Sequence, residues 1–402
     1  MIDINFIKEN VEETKILFKK RGCNVDVDAF LKLHFELNSK KSELDKLRFE
    51  QKKANIEKAK EIKEKVLNLK STVNTLEQKR NEIWLTLPNI LAEDTPEGKD
   101  DTENVEIKRC GTFPDFNFSP QSHDVIGKNL GILDLERGAK VSGSGFYYIL
   151  GQGSKIAMAV YFLAWKILNE NGFSFMIPPV FTDIRAFLGT GYFPFEPKGN
   201  YKIENKNLYA IGTSEQSILA FHDNEILKFE DLPLKYASLT PCFRTEDGSY
   251  GKCSKGGFRV HQFHKMEQII FCKPEESEKL HEACLSNIEE LMKILEIPYR
   301  IVRVCTGDMG APGYKKYDVE SWFPSFNGFR ETHSNTNLWD FQTRRLNIRV
   351  QHNGEKFFPH TISSTMATDR LIFSLMENFQ KSDGTIDLPI SVKNLLERNF
   401  IF

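Results

Sequence analysis

A chain of 402 residues with 54 Lys+Arg against 56 Asp+Glu carries a formal net charge of -2, which neither favours nor excludes a nucleic-acid partner, because a local basic stripe fits inside a balanced total. The length suits two domains, or one large domain with an appendage, and 40% hydrophobic residues support a sizeable core. Seven cysteines without a CxxC pair argue against a secreted disulfide framework and for reduced thiols; zinc-ligand spacing is lacking, so no zinc is expected, and no run approaches the roughly 18 apolar residues of a membrane span.

The N-terminus, Met-Ile-Asp-Ile-Asn-Phe, lacks the basic start and apolar stretch of a secretory signal, so a cytoplasmic protein with no membrane contact is expected. Further along, Phe30, Leu33, Leu37, Leu44, Leu47 and Ala54 step by three, four or seven. A second series runs Ile62, Val66, Leu69, Val73, Leu76, Ile83 and Leu87, with Arg80 in its one gap. Such steps put the apolar side chains on one helical seam, the coiled-coil pattern. Pro88 ends the run. The spacing predicts an antiparallel helical hairpin turning near Lys58–Glu61, and a dimerisation coiled coil fits the same pattern.

Residues Ala92 to Asn104 are polar and turn-rich. The domain assignment is therefore a helical arm over 1–100, a linker over 101–110 and a second domain over 111–402. Beyond the linker, β-prone runs at Phe146–Leu150, Leu208–Ile211, Arg259–Phe263, Gln268–Phe271, Arg300–Val304 and Leu346–Gln351 mix with helical patterns at Ser154–Asn171, Pro274–Leu295 and Thr365–Gln380. Regular strand–helix alternation is missing, so the expected class is α+β with a largely antiparallel sheet flanked by helices.

Four clusters place charges inside apolar runs, where they are costly unless paired. Phe243-Arg244-Thr245-Glu246 leads into a glycine-rich loop that returns through Phe258-Arg259 to Phe263 and Glu267. Guanidinium forks match phosphate and carboxylate oxygens, and a flat ring stacks on a base. The others are Gly212-Thr213-Ser214-Glu215, then Arg330-Glu331-Thr332-His333-Ser334, then a run from His360 through Ser364 to Arg370. A carboxylate beside a hydroxyl, as at Glu331 and Ser334, suits magnesium with phosphate oxygens. Each also has a plain structural reading: an Arg244–Glu246 ion pair, a surface Glu331, a core Phe263, an Arg370 that salt-bridges its helix. His261 and His264, three apart in a strand-like run, point to opposite faces and do not form a metal pair.

The ordered set resembles seryl-tRNA synthetases of the common, non-methanogenic kind along essentially the whole chain. Met176-Ile-Pro-Pro179 resembles class II motif 1, Leu232 through Glu267 motif 2, and His360–Arg370 motif 3, while Cys305-Thr-Gly-Asp-Met-Gly310, Lys316-Tyr-Asp-Val-Glu320 and Trp339–Arg345 resemble blocks specific to that family. The resemblance implies a class II antiparallel catalytic domain, a homodimer, ATP and Mg2+, L-serine, and tRNA(Ser) held by the helical arm, with tRNA(Sec) serylated where present. It implies further that Arg244 binds the serine carboxylate and the ATP α-phosphate, and that Glu246 and Phe263 hold adenine. Arg259 and Arg370 hold the remaining phosphates and nucleotide, Glu331 and Ser334 take magnesium, Thr213 and Glu215 take the serine amino group, and Glu267 and Ser364 meet its hydroxyl side. The catalytic set is then Arg244, Glu331 and Arg370.

The chain departs from the family at Ile362 (usually asparagine), Ser363 (often glycine), His333 (usually serine), and Cys253 and Lys255 in the motif 2 loop, and its arm is shorter than in typical bacterial members. Lys52, Lys53, Lys58, Lys60, Lys63 and Lys65 cluster at the expected arm tip, where a solvated surface is the alternative reading. Two other functions are compatible with the motifs: a paralogue loading an amino acid onto a non-tRNA carrier, and a non-catalytic RNA-binding paralogue. The basic-tipped arm argues against the first, the retained arginines against the second.

Overall fold

Asp26 accepts the Ala29 amide at 2.9 Å and so starts the first run of apolar repeats as a helix. In the computed structural model, which describes residues 1–246 and 256–397, the chain forms two units, Met1–Ile90 and Leu91–Phe402. The first unit holds α1 (Ile4–Glu9), α2 (Val11–Lys20), α3 (Val27–Lys53) and α4 (Ile56–Leu85). At 1.5 Å per residue, α3 alone is about 40 Å long. Leu37, Leu44 and Val73 are buried along the α3–α4 seam against Val66, Leu69 and Leu76. Phe30 and Leu87 anchor its base among Ile2, Ile7 and Phe18. The hairpin turns at Ala54–Asn55, earlier than the expected Lys58–Glu61: Ala54 is extended, and the Asn55 side chain caps α4 by accepting the Lys58 amide at 3.1 Å.

The second unit is built on an eight-stranded sheet. Its strands are β1 (Val105–Cys110), β2 (Ser174–Phe175), β3 (Leu234–Phe243), β4 (Gln262–Cys272), β5 (Tyr299–Arg303), β6 (Lys315–Phe323), β7 (Gly328–Trp339) and β8 (His360–Thr368). They lie in the order β1-β5-β6-β7-β8-β4-β3-β2. All neighbours are antiparallel except the short β2 beside β3. Residues 101–110, expected as a linker, instead form a 3-10 turn and the edge strand β1. Nearly every β1 side chain is exposed, which gives the strand the composition of a linker. The run Arg259–Phe263 is likewise not a strand of its own, because β4 begins at Gln262 and continues unbroken through Cys272.

Helices Gln152–Glu170, Ser277–Ile294 and Asp369–Asn378 bury one face of the sheet through Met266, Ile270, Ile362, Met366 and Val319. Residues alternate across a strand, so Lys265 and Glu267 project to the opposite face. Among the described residues, no helix is long and apolar enough to cross a membrane.

Candidate active site

The charged residues that alternate with this core line two adjoining chambers. The first is walled by Glu246, Phe263, Glu331 and Arg370; the second by Glu215, Glu267, Ser363 and Met309. Arg244, Lys265, Ser334 and Thr365 belong to both and form the boundary between them.

Arg244 follows β3 directly. Its Nε donates to the Gly212 carbonyl at 3.4 Å, and its guanidinium stands 5.4 Å from the Phe263 ring centre. Glu246 has φ of +54°, a backbone region that side chains rarely adopt and that clusters at binding sites. It accepts Arg259 Nη1 at 2.9 Å, so Arg259 reaches Glu246 rather than the chamber wall. Arg370, in the first turn of Asp369–Asn378, donates to the Glu331 carbonyl at 2.7 Å and to the Phe258 carbonyl at 3.1 Å. Two carbonyls thus aim one guanidinium into the first chamber. Opposing it, Glu331 is pulled upward by desolvation, but Lys316, Arg370, Arg244 and Lys265 outweigh that and hold its carboxyl below the usual range.

Glu331 and Ser334 are three residues apart, a spacing that in a plain strand points to opposite faces. The β6–β7 register shows how they meet. His333 faces Val319 and Glu331 faces Glu320, leaving Thr332 as an extra residue. This bulge turns Glu331 onto the face used by Ser334. Asp318 stands opposite Ser334 in the ladder, is buried, and has an Oδ1 without a hydrogen-bond partner. Three hard oxygen donors, one of them orphaned, fit a magnesium ion.

In the second chamber, Glu267 accepts Thr213 Oγ1 at 2.6 Å, the Ser214 amide at 2.6 Å and Ser214 Oγ at 2.7 Å. Lys265 Nζ lies 2.8 Å from Glu267 and 2.9 Å from Thr213 Oγ1. Burial works to raise the Glu267 carboxyl; Lys265 and these donors win and lower it. Thr213 sits behind Glu267 instead of on the open wall. Glu215 is different. Burial pushes its carboxyl up to about 7 even though the Gln342 amide donates to it at 2.7 Å. Gln342 is itself held by the Thr361 hydroxyl at 2.8 Å.

Ser364 is the one expected site residue that faces away. It accepts Gln268 Nε2 at 3.2 Å on the helix side of the sheet. Since side chains alternate along β8, Ser363 and Thr365 are the ones that face the chamber. Of the departures from the family, Ile362 is fully buried in the helix-side core. His333 is buried too, its imidazole pushed down to about 3 by desolvation and its Nδ1 2.9 Å from Thr332 Oγ1. Neither lines a chamber. Cys253 and Lys255 lie outside the described residues. Sequence reasoning missed Lys265, Thr365, Asp318 and Gln342; for Lys265 the signal was present, since a lysine alternating with Phe263 and Glu267 in one strand must share their face.

Residues 198–379 match the model of the tRNA synthetase class II core domain (G, H, P, S and T), and residues 1–91 match the seryl-tRNA synthetase N-terminal domain. A serine–tRNA ligase of Treponema denticola is 37% identical over 409 residues, covering 97% of each chain. The crystal structure of a Pyrococcus horikoshii seryl-tRNA synthetase complexed with ATP superposes with a TM-score of 0.92 at 38% identity, covering 99% of this chain and 98% of that one. A cytoplasmic serine–tRNA ligase of Naegleria fowleri in complex with AMP gives 0.89 at 29% identity, covering 98% and 97%. With its antiparallel sheet, its helical N-terminal unit and relatives that match from end to end, the chain belongs to the seryl-tRNA synthetase family.

Proposed function

We propose that the protein is a serine–tRNA ligase, which converts L-serine and ATP to seryl-adenylate and pyrophosphate, then transfers serine to the 3′ end of tRNA(Ser) and releases AMP. The observation that carries this reading is the shared wall. The first chamber takes ATP, the second takes serine, and Arg244 and Lys265 stand where the two meet. Adenylation joins the serine carboxylate to the α-phosphorus, so negative charge concentrates at that boundary and fixed cations stabilise it. Glu246 and Phe263 hold adenine, with Arg244 behind the ring. Arg370 meets the phosphates, and Arg259 swings from Glu246 to join it. Glu331 and Ser334, with Asp318 beside them, would hold a magnesium ion, which would supply charge neutralisation at the phosphates. Glu215 takes the serine ammonium, held from behind by Gln342. Glu267 accepts the serine hydroxyl in place of one of its present donors, and Ser363 and Thr365 close the side.

The α3–α4 hairpin holds tRNA(Ser), a role that fits the lysines gathered at its tip, with Lys52 and Lys53 ending α3 and Lys58, Lys60, Lys63 and Lys65 opening α4. A homodimer covers the apolar surface at Met158, Trp165 and Ile177, the last 98% exposed. Free cysteines suit a reducing cytoplasm. The test is serine-dependent ATP–pyrophosphate exchange, with threonine, alanine and glycine as rivals. Exchange with serine alone, abolished by Arg244→Ala, supports the proposal. Absence of exchange with every amino acid overturns it and favours an RNA-binding paralogue.

A further inference from the structure

His123 is placed in no step of that reaction, yet it is 1% exposed and uses both ring nitrogens. Its Nδ1 lies 2.7 Å from Glu377 Oε1, and its Nε2 accepts the Gly257 amide at 2.9 Å. Glu377 also accepts the amides of His123 at 3.0 Å and Ser325 at 3.1 Å. A carboxylate holding backbone donors can only accept, and a backbone amide can only donate. The imidazole is therefore neutral, with its proton on Nδ1 and its lone pair on Nε2. The chain comes so close that a Cβ at Gly256 would fall 2.2 Å from His123 Nε2, and one at Gly257 would fall 2.4 Å from the Phe373 ring. Glycine is required at both positions for this approach.

What hangs on the anchor is the chamber. Phe258, next to Gly257, packs edge-on against His123 with ring centres 5.1 Å apart, and its carbonyl accepts Arg370 at 3.1 Å. Arg259 comes next and pairs with Glu246. Glu377 belongs to the same helix, Asp369–Asn378, that carries Arg370 near its start. One imidazole thus ties together the strand-side segment Gly256–Arg259 and the helix that presents Arg370.

We infer that His123, fixed in its Nδ1–H form by Glu377, is a positioning residue for the nucleotide chamber: it holds the Gly257 amide so that Phe258 and Arg259 stand in register with Arg370. The inference rests on the proposed ATP-dependent function. Asparagine reproduces the Nδ1 end of histidine, and glutamine the Nε2 end. Loss of one ordinary hydrogen bond is worth about fivefold in an equilibrium. His123→Asn, which keeps the Glu377 contact but has no acceptor for Gly257, should raise the KM for ATP in pyrophosphate exchange about fivefold or more, with the KM for serine within about twofold of wild type. His123→Gln, which keeps the acceptor, should restore the KM for ATP to within about twofold. A purely structural role moves both constants together, or moves neither while lowering Tm equally in the two variants; either pattern overturns the inference. If the asparagine variant does not fold, Glu377→Leu is read in its place: it has no acceptor for Nδ1–H, so the ring is no longer fixed in its tautomer, and an unchanged KM for ATP there also overturns the inference. Failure of the underlying function shows separately, as absence of serine-dependent exchange in the unmodified protein.

Discussion

Glu215 provides a prediction whose size follows from its surroundings. Burial raises its carboxyl from 4.5 to about 7, against the pull of the Gln342 amide, with Glu267 adding to the rise and Lys265 opposing it. The sign of the linkage is the reverse of the common acidic case. Below pH 4.5 both folded and unfolded chains keep the proton, and there is no penalty. Between 4.5 and about 7 only the unfolded chain releases it, so stability falls as pH rises. Above about 7 the folded state carries the full cost of a buried carboxylate, about 3 kcal/mol for a shift of this size. A ligand ammonium that pairs with Glu215 offsets that cost and lowers its pKa, so serine binding expels the proton. A group of pKa about 7 is about three-quarters protonated at pH 6.5 and about one-tenth at pH 8, so serine should release about 0.8 and about 0.1 proton respectively. Calorimetric titration of serine in buffers of different ionisation enthalpy measures this number directly. Glu215→Gln should abolish the difference between the two pH values. Proton release that is the same at pH 6.5 and pH 8, or that persists in the glutamine variant, refutes the assignment of Glu215 to the ammonium.

Three further outcomes follow from the geometry. Ser364→Ala removes only a helix-side bond to Gln268, so it should cost about 1 kcal/mol in denaturation and leave the KM for serine unchanged, whereas Ser363→Val, on the chamber wall, should raise that KM in pyrophosphate exchange. Ile362→Ala should lower stability by about 2–5 kcal/mol through a cavity in the helix-side core, with the serine-to-threonine exchange ratio unaltered. Replacing Lys52, Lys53 and Lys58 by glutamate should weaken tRNA charging and flatten its salt dependence, while serine-dependent exchange, which needs no tRNA, continues at the normal rate.

The sequence foretold much of this, and its failures have physical causes. The α3–α4 seam was legible because Leu37, Leu44 and Val73 repeat at helical spacing over many turns. The hairpin turn was not, because Asn55 does the work that glycine or proline usually does. β1 was read as a linker because the edge of a sheet exposes nearly all its side chains and loses the alternation that marks a strand. The chamber arginines were legible as charges inside apolar runs. Ser364 was not placed correctly because the face a residue takes depends on register, and a slip of one residue along β8 exchanges it for Ser363. The pairing of Glu331 with Ser334 depends on a bulge at Thr332, which no local spacing announces. Gln342 contributes only through its contact with Glu215, a pairing across 127 positions of chain.

The most direct test of the proposed function is charging itself: purified protein, ATP, magnesium, labelled serine and a tRNA(Ser) transcript, with a tRNA of another identity alongside. Label is expected on the 3′ end of tRNA(Ser), with little on the other tRNA and none with Arg244→Ala. Vigorous serine-dependent pyrophosphate exchange without transfer to tRNA(Ser) would contradict that function and point to an activating enzyme that serves a different acceptor.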